Sequence, residues 1–381
     1  MKKNFTLLVL IFSLFGFSQE VQKNLDLNAV PTYYNGISGT GFALKTQLKT
    51  RVTNGHIDQG YGALWTLFTN PAFRDNIYEN DGSLLDFYSE NPVGPDPYNY
   101  TSTSQQCGSY SGEGGCYNRE HLIPQAYFDN FAIDPMKNDP FHVVPSDGKV
   151  NAIRDNYPFS RVANANLTTN NGSKLGSNVN SGYSAGYTAS LVFEPLDEFK
   201  GDIARCFFYF ATRYEDSMDD FYSAATVQSK NMFDGSINNV FSPTFLNVFI
   251  TWHNQDPVSA KEIAKNNAIF SFQGNRNPFI DRPEYVCQIW ASACAALNNP
   301  TIEFATISVF PNPTNDNKIN IDSEIALEEI QLININGQVI KEVKNPIFTN
   351  NSYSLENLPQ GFYFLKLTAN NQSLVKKVVV N

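Results

Sequence analysis

The chain has 381 residues, with 37 Asp and Glu against 27 Lys and Arg, a formal net charge of −10, and five cysteines. That length accommodates one sizeable core plus a smaller one, since single cores stop growing near about 250–300 residues. Apolar residues make up 42 % and charged residues 17 %. This balance excludes a disordered chain and a coiled coil, and the acidity argues against a generally basic surface for nucleic acid. At the N-terminus, Lys2 and Lys3 precede an apolar run from Phe5 to Phe17, followed by Ser18 and Gln19. A basic start, a short apolar stretch and a small residue predict a secretory signal peptide over 1–18. The run is shorter than the roughly 20 residues a spanning helix needs, so no stable membrane insertion is expected.

Residues 28–90 read as mostly helical from the apolar spacing in ALKTQLKTRV and YGALWTLF. Cys107 and Cys116 flank a Gly/Ser loop, the ordinary setting of an extracellular disulfide. The stretch 161–190 has loop chemistry with room for short strands, and helical periodicity returns over 196–225 and 241–253. Asp256-Pro257 then reads as a helix start, with Asp as cap and Pro at the first position. Cys206, in an aromatic run, reads as a buried thiol. Cys287 and Cys294 can pair only if their helix ends near Ala291–Ser292, because a continuous helix would separate them by about 10 Å. Beyond residue 300, short alternating runs separated by turn clusters predict a small β-sandwich. The expected division is 1–18 signal, 19–300 first domain and 301–381 sandwich, with almost all the net charge in the first domain.

One segment carries chemistry. Cys116–Gln125 (CYNREHLIPQ) and Asp139–Pro145 (DPFHVVP) read as two strands, and Ser146–Asn156 as a short helix ended by Pro158. This ββα unit would place Glu120, His121 and Asn151 near one another. Glu120 and Asn151 offer the hard oxygens that suit Mg²⁺, which keeps several waters. His121, neutral at pH 7–8, can take a proton from water. A metal beside a general base suits phosphodiester cleavage. On a strand, Glu120 and His121 project to opposite faces, unless a bulge intervenes.

YNREHLIPQAYF followed by DPFHVVPSDGKVNAIRDNYPF resembles the endonuclease I family of secreted ββα-metal (His-Me finger) nucleases. The likeness extends to PTYYNGISGTGFALKTQLK, GSKLG, FEPLDEFKGDIARCFFYFATRY and WHNQDPVSAKEIAKNNAIFSFQGNRNPFIDRPEYVCQIW. It implies Mg²⁺-dependent (Mn²⁺ or Ca²⁺ as alternatives), largely sequence-independent cleavage of DNA, RNA or both, leaving 5′-phosphate ends. His121 matches the family's general base, and Glu120 and Asn151 match its metal ligands. Some members carry a phosphate-stabilising arginine between the two strands, whereas the stretch from His121 to Asn151 holds none here. Arg119, Arg154, Arg205 or Arg276 must then supply it. His142 is expected to be an orienting or core residue, and His56 and His253 structural.

The tail, with FPNPT, NGQVI, LPQGFYFLKL and a KKVVV ending, is similar to the C-terminal sorting domain of the type IX secretion system of Bacteroidetes. That likeness implies a secreted or cell-surface protein, with the secretion machinery as a partner beside nucleic acid. The expected fold class is α+β: a mostly helical nuclease domain built around a ββα-metal motif, then a small all-β Ig-like sandwich, as a monomer. Two other readings stay open: an adhesin or glycan-binding protein with a non-catalytic ββα unit, and a phosphodiesterase acting on something other than polynucleotide.

Overall fold

The computed structural model describes residues 32–108, 110–128, 134–224, 232–297, 307–369 and 372–381. The expected signal peptide and the expected boundary near residue 300 lie outside these residues. Helix α1 (Gly41–Thr53) buries Leu44, Leu48 and Val52 at a spacing of four, one face of a helix. Helix α2 (Leu64–Leu67) is a single turn that continues a 3-10 turn at Tyr61–Ala63, and after one more 3-10 turn at Pro71–Phe73 the mostly helical character expected through residue 90 ends. From 74 onward the chain is largely irregular. Asp75 accepts the backbone N–H groups of Ile77, Tyr78, Asn80 and Asp81, giving the backbone a partner other than a helix ladder.

Strands β1 (Tyr117–His121) and β2 (Val143–Asp147) pair antiparallel from Tyr117↔Asp147 to His121↔Val143 without a bulge. Helix α3 (Gly148–Arg154) follows at once, capped by Asp147, whose Oδ1 accepts the Val150 N–H at 2.7 Å. The ββα unit is therefore present, with shorter strands than the sequence suggests. The stretch read as loop chemistry forms the antiparallel sheet β3 (Val162–Thr168), β4 (Lys174–Asn178) and β5 (Leu191–Glu194).

The remaining helices are α4 (Lys200–Arg213), α5 (Met218–Ala224), α6 (Pro243–Gln255), α7 (Ala260–Gln273), α8 (Pro278–Asp281), α9 (Tyr285–Ile289) and α10 (Ala291–Leu297). Helix α4 is buried along nearly its whole length. Phe207 stacks on Phe249 of α6 at 4.5 Å, while Phe210 meets His142 at 4.7 Å and so ties the helical core to the ββα unit. The start expected at Asp256 is displaced to Ser259, which forms a capping box with Glu262. Asp256 instead ends α6 and accepts the Gly201 N–H at 2.8 Å, a tertiary contact invisible to local pattern. Gly274 closes α7 at φ 85°, and a Cβ there would lie 2.4 Å from the Gly55 carbonyl.

Cys107 is bonded to Cys116, as expected, and Cys287 to Cys294, a pairing the sequence left open. The second forms because the helix breaks at Trp290, between α9 and α10, bringing the two Cα atoms to 5.7 Å. Cys206 is a free, half-buried thiol.

The tail is all β. Strands β6 (Ser308–Phe310), β7 (Ile319–Asp322) and β10 (Ser352–Leu355) form one antiparallel sheet. The second sheet contains β8 (Glu329–Asn334), β9 (Val339–Lys344), β11 (Gly361–Ala369) and β12 (Gln372–Val380), in the order β12-β11-β8-β9. Tyr363, Leu365, Leu367 and Ala369 of β11 point inward at every second position, to a core shared with Ile319, Ile321 and Leu332. The fold is thus α+β with a β-sandwich tail. Among the described residues no helix is long and apolar enough to cross a membrane.

Candidate active site

Because β1 runs without a bulge, its alternate side chains separate onto two faces. Asn118 and Glu120 meet α3. Asn118 Oδ1 accepts from Asn151 Nδ2 at 2.7 Å, and Glu120 Oε1 accepts from Arg154 Nη1 at 3.0 Å. Asn151 and Arg154 are one helical turn apart, which is why a single face of α3 serves both. Arg119 and His121 take the other face, against Tyr61. Arg119, Glu120, His121 and Asn151 all line one open cleft at the end of the strand, with Gln125 and Asn156 at its margin.

Glu120 is 2 % exposed. Its Oε1 also accepts the Tyr88 hydroxyl at 3.1 Å, whereas its Oε2 accepts no hydrogen bond from the described residues. Burial pushes its carboxyl up to about 7, against the Arg154 charge and the two hydrogen bonds. Asn151 has its side-chain N–H engaged by Asn118, and its side-chain Oδ1 has no partner among the described residues. One anionic and one neutral hard oxygen thus remain beside each other's elements in the cleft. That donor set fits an oxygen-seeking divalent cation, with room for water in an open site.

His121 Nε2 lies 3.1 Å from the Lys137 carbonyl, which can only accept. Nε2 therefore carries the proton, and Nδ1 has no partner among the described residues. Burial, then His142 and the Lys137 and Arg119 charges, pushes the ring down to about 3. The imidazole is neutral, with a lone pair to offer. His142 is fully buried and donates Nε2–H to the Met136 carbonyl at 2.6 Å, the residue before Lys137. The two histidines hold consecutive carbonyls of one turn, so His142 orients the turn that orients His121.

The four candidate arginines separate clearly. Arg119 lies over Tyr61 (3.3 Å from the ring centroid) and Trp65 (4.3 Å), donating one Nη1–H to the Tyr61 carbonyl at 2.7 Å. It lines the cleft. Arg154 lies beneath the site, 1 % exposed, holding Glu120 together with the His121 and Leu122 carbonyls. Arg205 is buried against Glu262 at 2.5 and 2.8 Å, and Arg276 is forked onto Asp281 at 2.7 and 2.8 Å. Buried carboxylates and carbonyls engage Arg154, Arg205 and Arg276, and of the four candidates Arg119 is the one that lines the cleft. His253 donates to the Pro283 carbonyl within the core, and His56 follows the end of α1.

Three supporting residues escaped sequence reasoning. Asn118 was legible in principle, two positions before Glu120 on the same strand face. Tyr61, stacked on His121 at 5.8 Å, and Tyr88, bonded to Glu120, come from distant irregular segments with no local signal.

An antiparallel strand pair bearing Arg-Glu-His, backed by a helix bearing Asn, matches the class of ββα nucleases. The sequence matches the Endonuclease I family over residues 40–284 and the secretion system C-terminal sorting domain over residues 308–381. The extracellular ribonucleases of Bacillus amyloliquefaciens and Bacillus subtilis (strain 168) are each 32 % identical to this chain over 263 residues, 68 % of this chain and 78 % of theirs. An ulvan lyase of Nonlabens ulvanivorans is 29 % identical over 94 residues, 24 % of this chain and 17 % of that protein. The chain belongs to the endonuclease I family. It is a secreted or cell-surface nuclease that carries a type IX C-terminal sorting domain.

Proposed function

We propose that this protein is a metal-dependent, largely sequence-nonspecific endonuclease that hydrolyses DNA, RNA or both to 5′-phosphate ends, and that it leaves the cell through the type IX machinery. The observation that carries this reading is the set of unengaged acceptors in one cleft: Glu120 Oε2, Asn151 Oδ1 and His121 Nδ1. His121 Nδ1 takes a proton from water, and the resulting nucleophile attacks phosphorus in line with the departing 3′ oxygen. Substrate phosphate brought against the ring favours the imidazolium, raising the basicity that burial depresses. Arg119 holds a non-bridging phosphate oxygen, its guanidinium fixed by the Tyr61 and Trp65 rings. A Mg²⁺-type ion on Glu120 and Asn151 would supply positive charge to the phosphate and leaving oxygen. Tyr88 and Arg154 position Glu120.

The relatives are named ribonucleases, so RNA is the first substrate to test, with matched DNA beside it. Purified protein should degrade polynucleotide with Mg²⁺, stop with chelator, and leave ends that a ligase accepts as 5′-phosphates. Intact polynucleotide of both kinds, with the protein folded and Mg²⁺ present, would favour the adhesin reading instead.

A further inference from the structure

The irregular segment after α2 gathers a second set of oxygens away from the catalytic cleft. Asp75, Glu79 and Glu90 bring carboxylate oxygens within 4.8 Å of one another. Asp75 and Glu90 are each 1 % exposed, and Glu79 forms the solvent rim. Both oxygens of Glu90 are buried and accept no hydrogen bond. A carboxylate desolvated to that degree is costly unless a cation or donors meet it. No ion pair to Lys or Arg involves any of the three among the described residues. The wall is built in advance, because Asp75 collects the backbone N–H groups of Ile77, Tyr78 and Asn80 and so fixes the turn that carries Glu79.

We propose that Asp75, Glu79 and Glu90 form a calcium site that braces this segment, distinct from the ion site on Glu120 and Asn151. Hard anionic oxygens exclude soft metals. Three carboxylates on an irregular loop suit Ca²⁺, which takes 6–8 oxygens in flexible geometry, better than Mg²⁺, which keeps its waters and few protein ligands. The segment also carries Tyr88, which bonds Glu120, and Asp86, which accepts the Asp147 N–H at 2.6 Å. Calcium therefore orders the support of the active site without touching substrate. The proposal does not depend on the nuclease mechanism, and its readout is binding and stability rather than cleavage.

The test uses the full chain stripped with chelator, with Ca²⁺ binding followed by calorimetry and thermal unfolding. Asn151→Ala removes a ligand of the other ion site and should keep calcium binding, with Tm raised by several degrees at roughly ten times Kd. Glu90→Gln and Glu79→Gln should each weaken Ca²⁺ affinity roughly tenfold or more. Without calcium, Glu90→Gln should be at least as stable as the parent, because it removes an unpartnered buried carboxyl. Glu79→Gln, at the rim, decides the matter should the buried variant fold poorly. An undiminished calcium response in Glu79→Gln, no calcium binding by Asn151→Ala, or an equal Tm rise with Mg²⁺ would each overturn the proposal.

Discussion

His121 and Arg154 are both held by main-chain groups around one strand end, yet their roles differ because of what remains free on each. His121 keeps Nδ1 unengaged, so His121→Ala should lower cleavage by about 10²–10⁴-fold while fold and Mg²⁺ affinity stay near the parent's. Loss of metal binding in that variant, measured by calorimetry, would show the imidazole to be a ligand. Arg154 has its guanidinium engaged beneath the site, and it neutralises a carboxylate that is almost wholly buried. Arg154→Met should therefore destabilise the protein by about 3–5 kcal/mol in urea unfolding, the cost of leaving Glu120 uncompensated. A change confined to KM for substrate, with stability intact, would return Arg154 to the phosphate. The other buried histidines give a pH signature. Burial pushes His142 and His253 down to about 4, with the Arg205 charge adding to the effect on His253. Since both lie below the unfolded value near 6.5, each contributes stability that is complete above pH 6.5 and lost as pH falls through about 4. Their ring resonances in NMR should accordingly show no protonation between pH 8 and 5, and a midpoint near 6.5 for either would contradict the burial. Glu120 and His121 were legible as candidates through the resemblance carried by YNREHLIPQAYF, since an Arg-Glu-His triplet on a strand reads by itself as a surface feature. Tyr61 and Tyr88 were not, since only the tertiary fold brings them to the site.

The ββα unit is the element the sequence exposed best, because its parts are local: a strand pair in one register, a capping Asp147 and a stop before Pro158. Where local pattern competed with tertiary contacts, it misled. YGALWTLF has helical spacing and does coil, as a 3-10 turn (Tyr61–Ala63) running into α2, but no longer helix follows, and beyond it Asp75 draws the N–H groups into its own turn. Asp256 resembles a cap but is bound to Gly201 across the α4–α6 contact. The Cys107–Cys116 bridge supports the unit from outside. Gly148 N–H donates to the Cys116 carbonyl at 2.9 Å, and a Cβ on Gly148 would lie 3.3 Å from Cys107 Sγ. The bridge thus sits against the first turn of the helix that presents Asn151. Replacing both cysteines by serine should cost about 2–3 kcal/mol through the entropy of a short loop. It should also lower kcat more than a distant destabilisation of equal size, such as removal of the Cys287–Cys294 bridge. Equal kcat values in the two bridge variants would separate the first bridge from catalysis.

At the scale of the whole molecule, two hydrophobic cores lie in different parts of the chain. One is built on α1, α4 and α6 with the ββα unit packed against it, and the other on the two sheets of the tail. The candidate catalytic residues, their positioning partners and the acidic cluster all belong to the first. The family match ends at residue 284, and the sorting match begins at residue 308. The tail's strands were legible as a set because short apolar-polar runs are separated by turn clusters. Tail strands close their hydrogen bonds within the tail: β11 lies between β8 and β12, and Thr314 bridges back to Val380. Removing 306–381 therefore strips no ladder partner from the ββα unit or from the β3–β5 sheet. A chain ending at residue 305 should keep the Tm of the nuclease core and its specific activity in the presence of Mg²⁺. In the native host the same truncation should accumulate inside the cell envelope, because the address is gone while the enzyme is intact. Full-length and truncated proteins compared for culture-fluid activity and for purified kcat test both halves of the claim. A well-folded truncation that is inactive when purified would show that the tail completes the active site and does more than direct export.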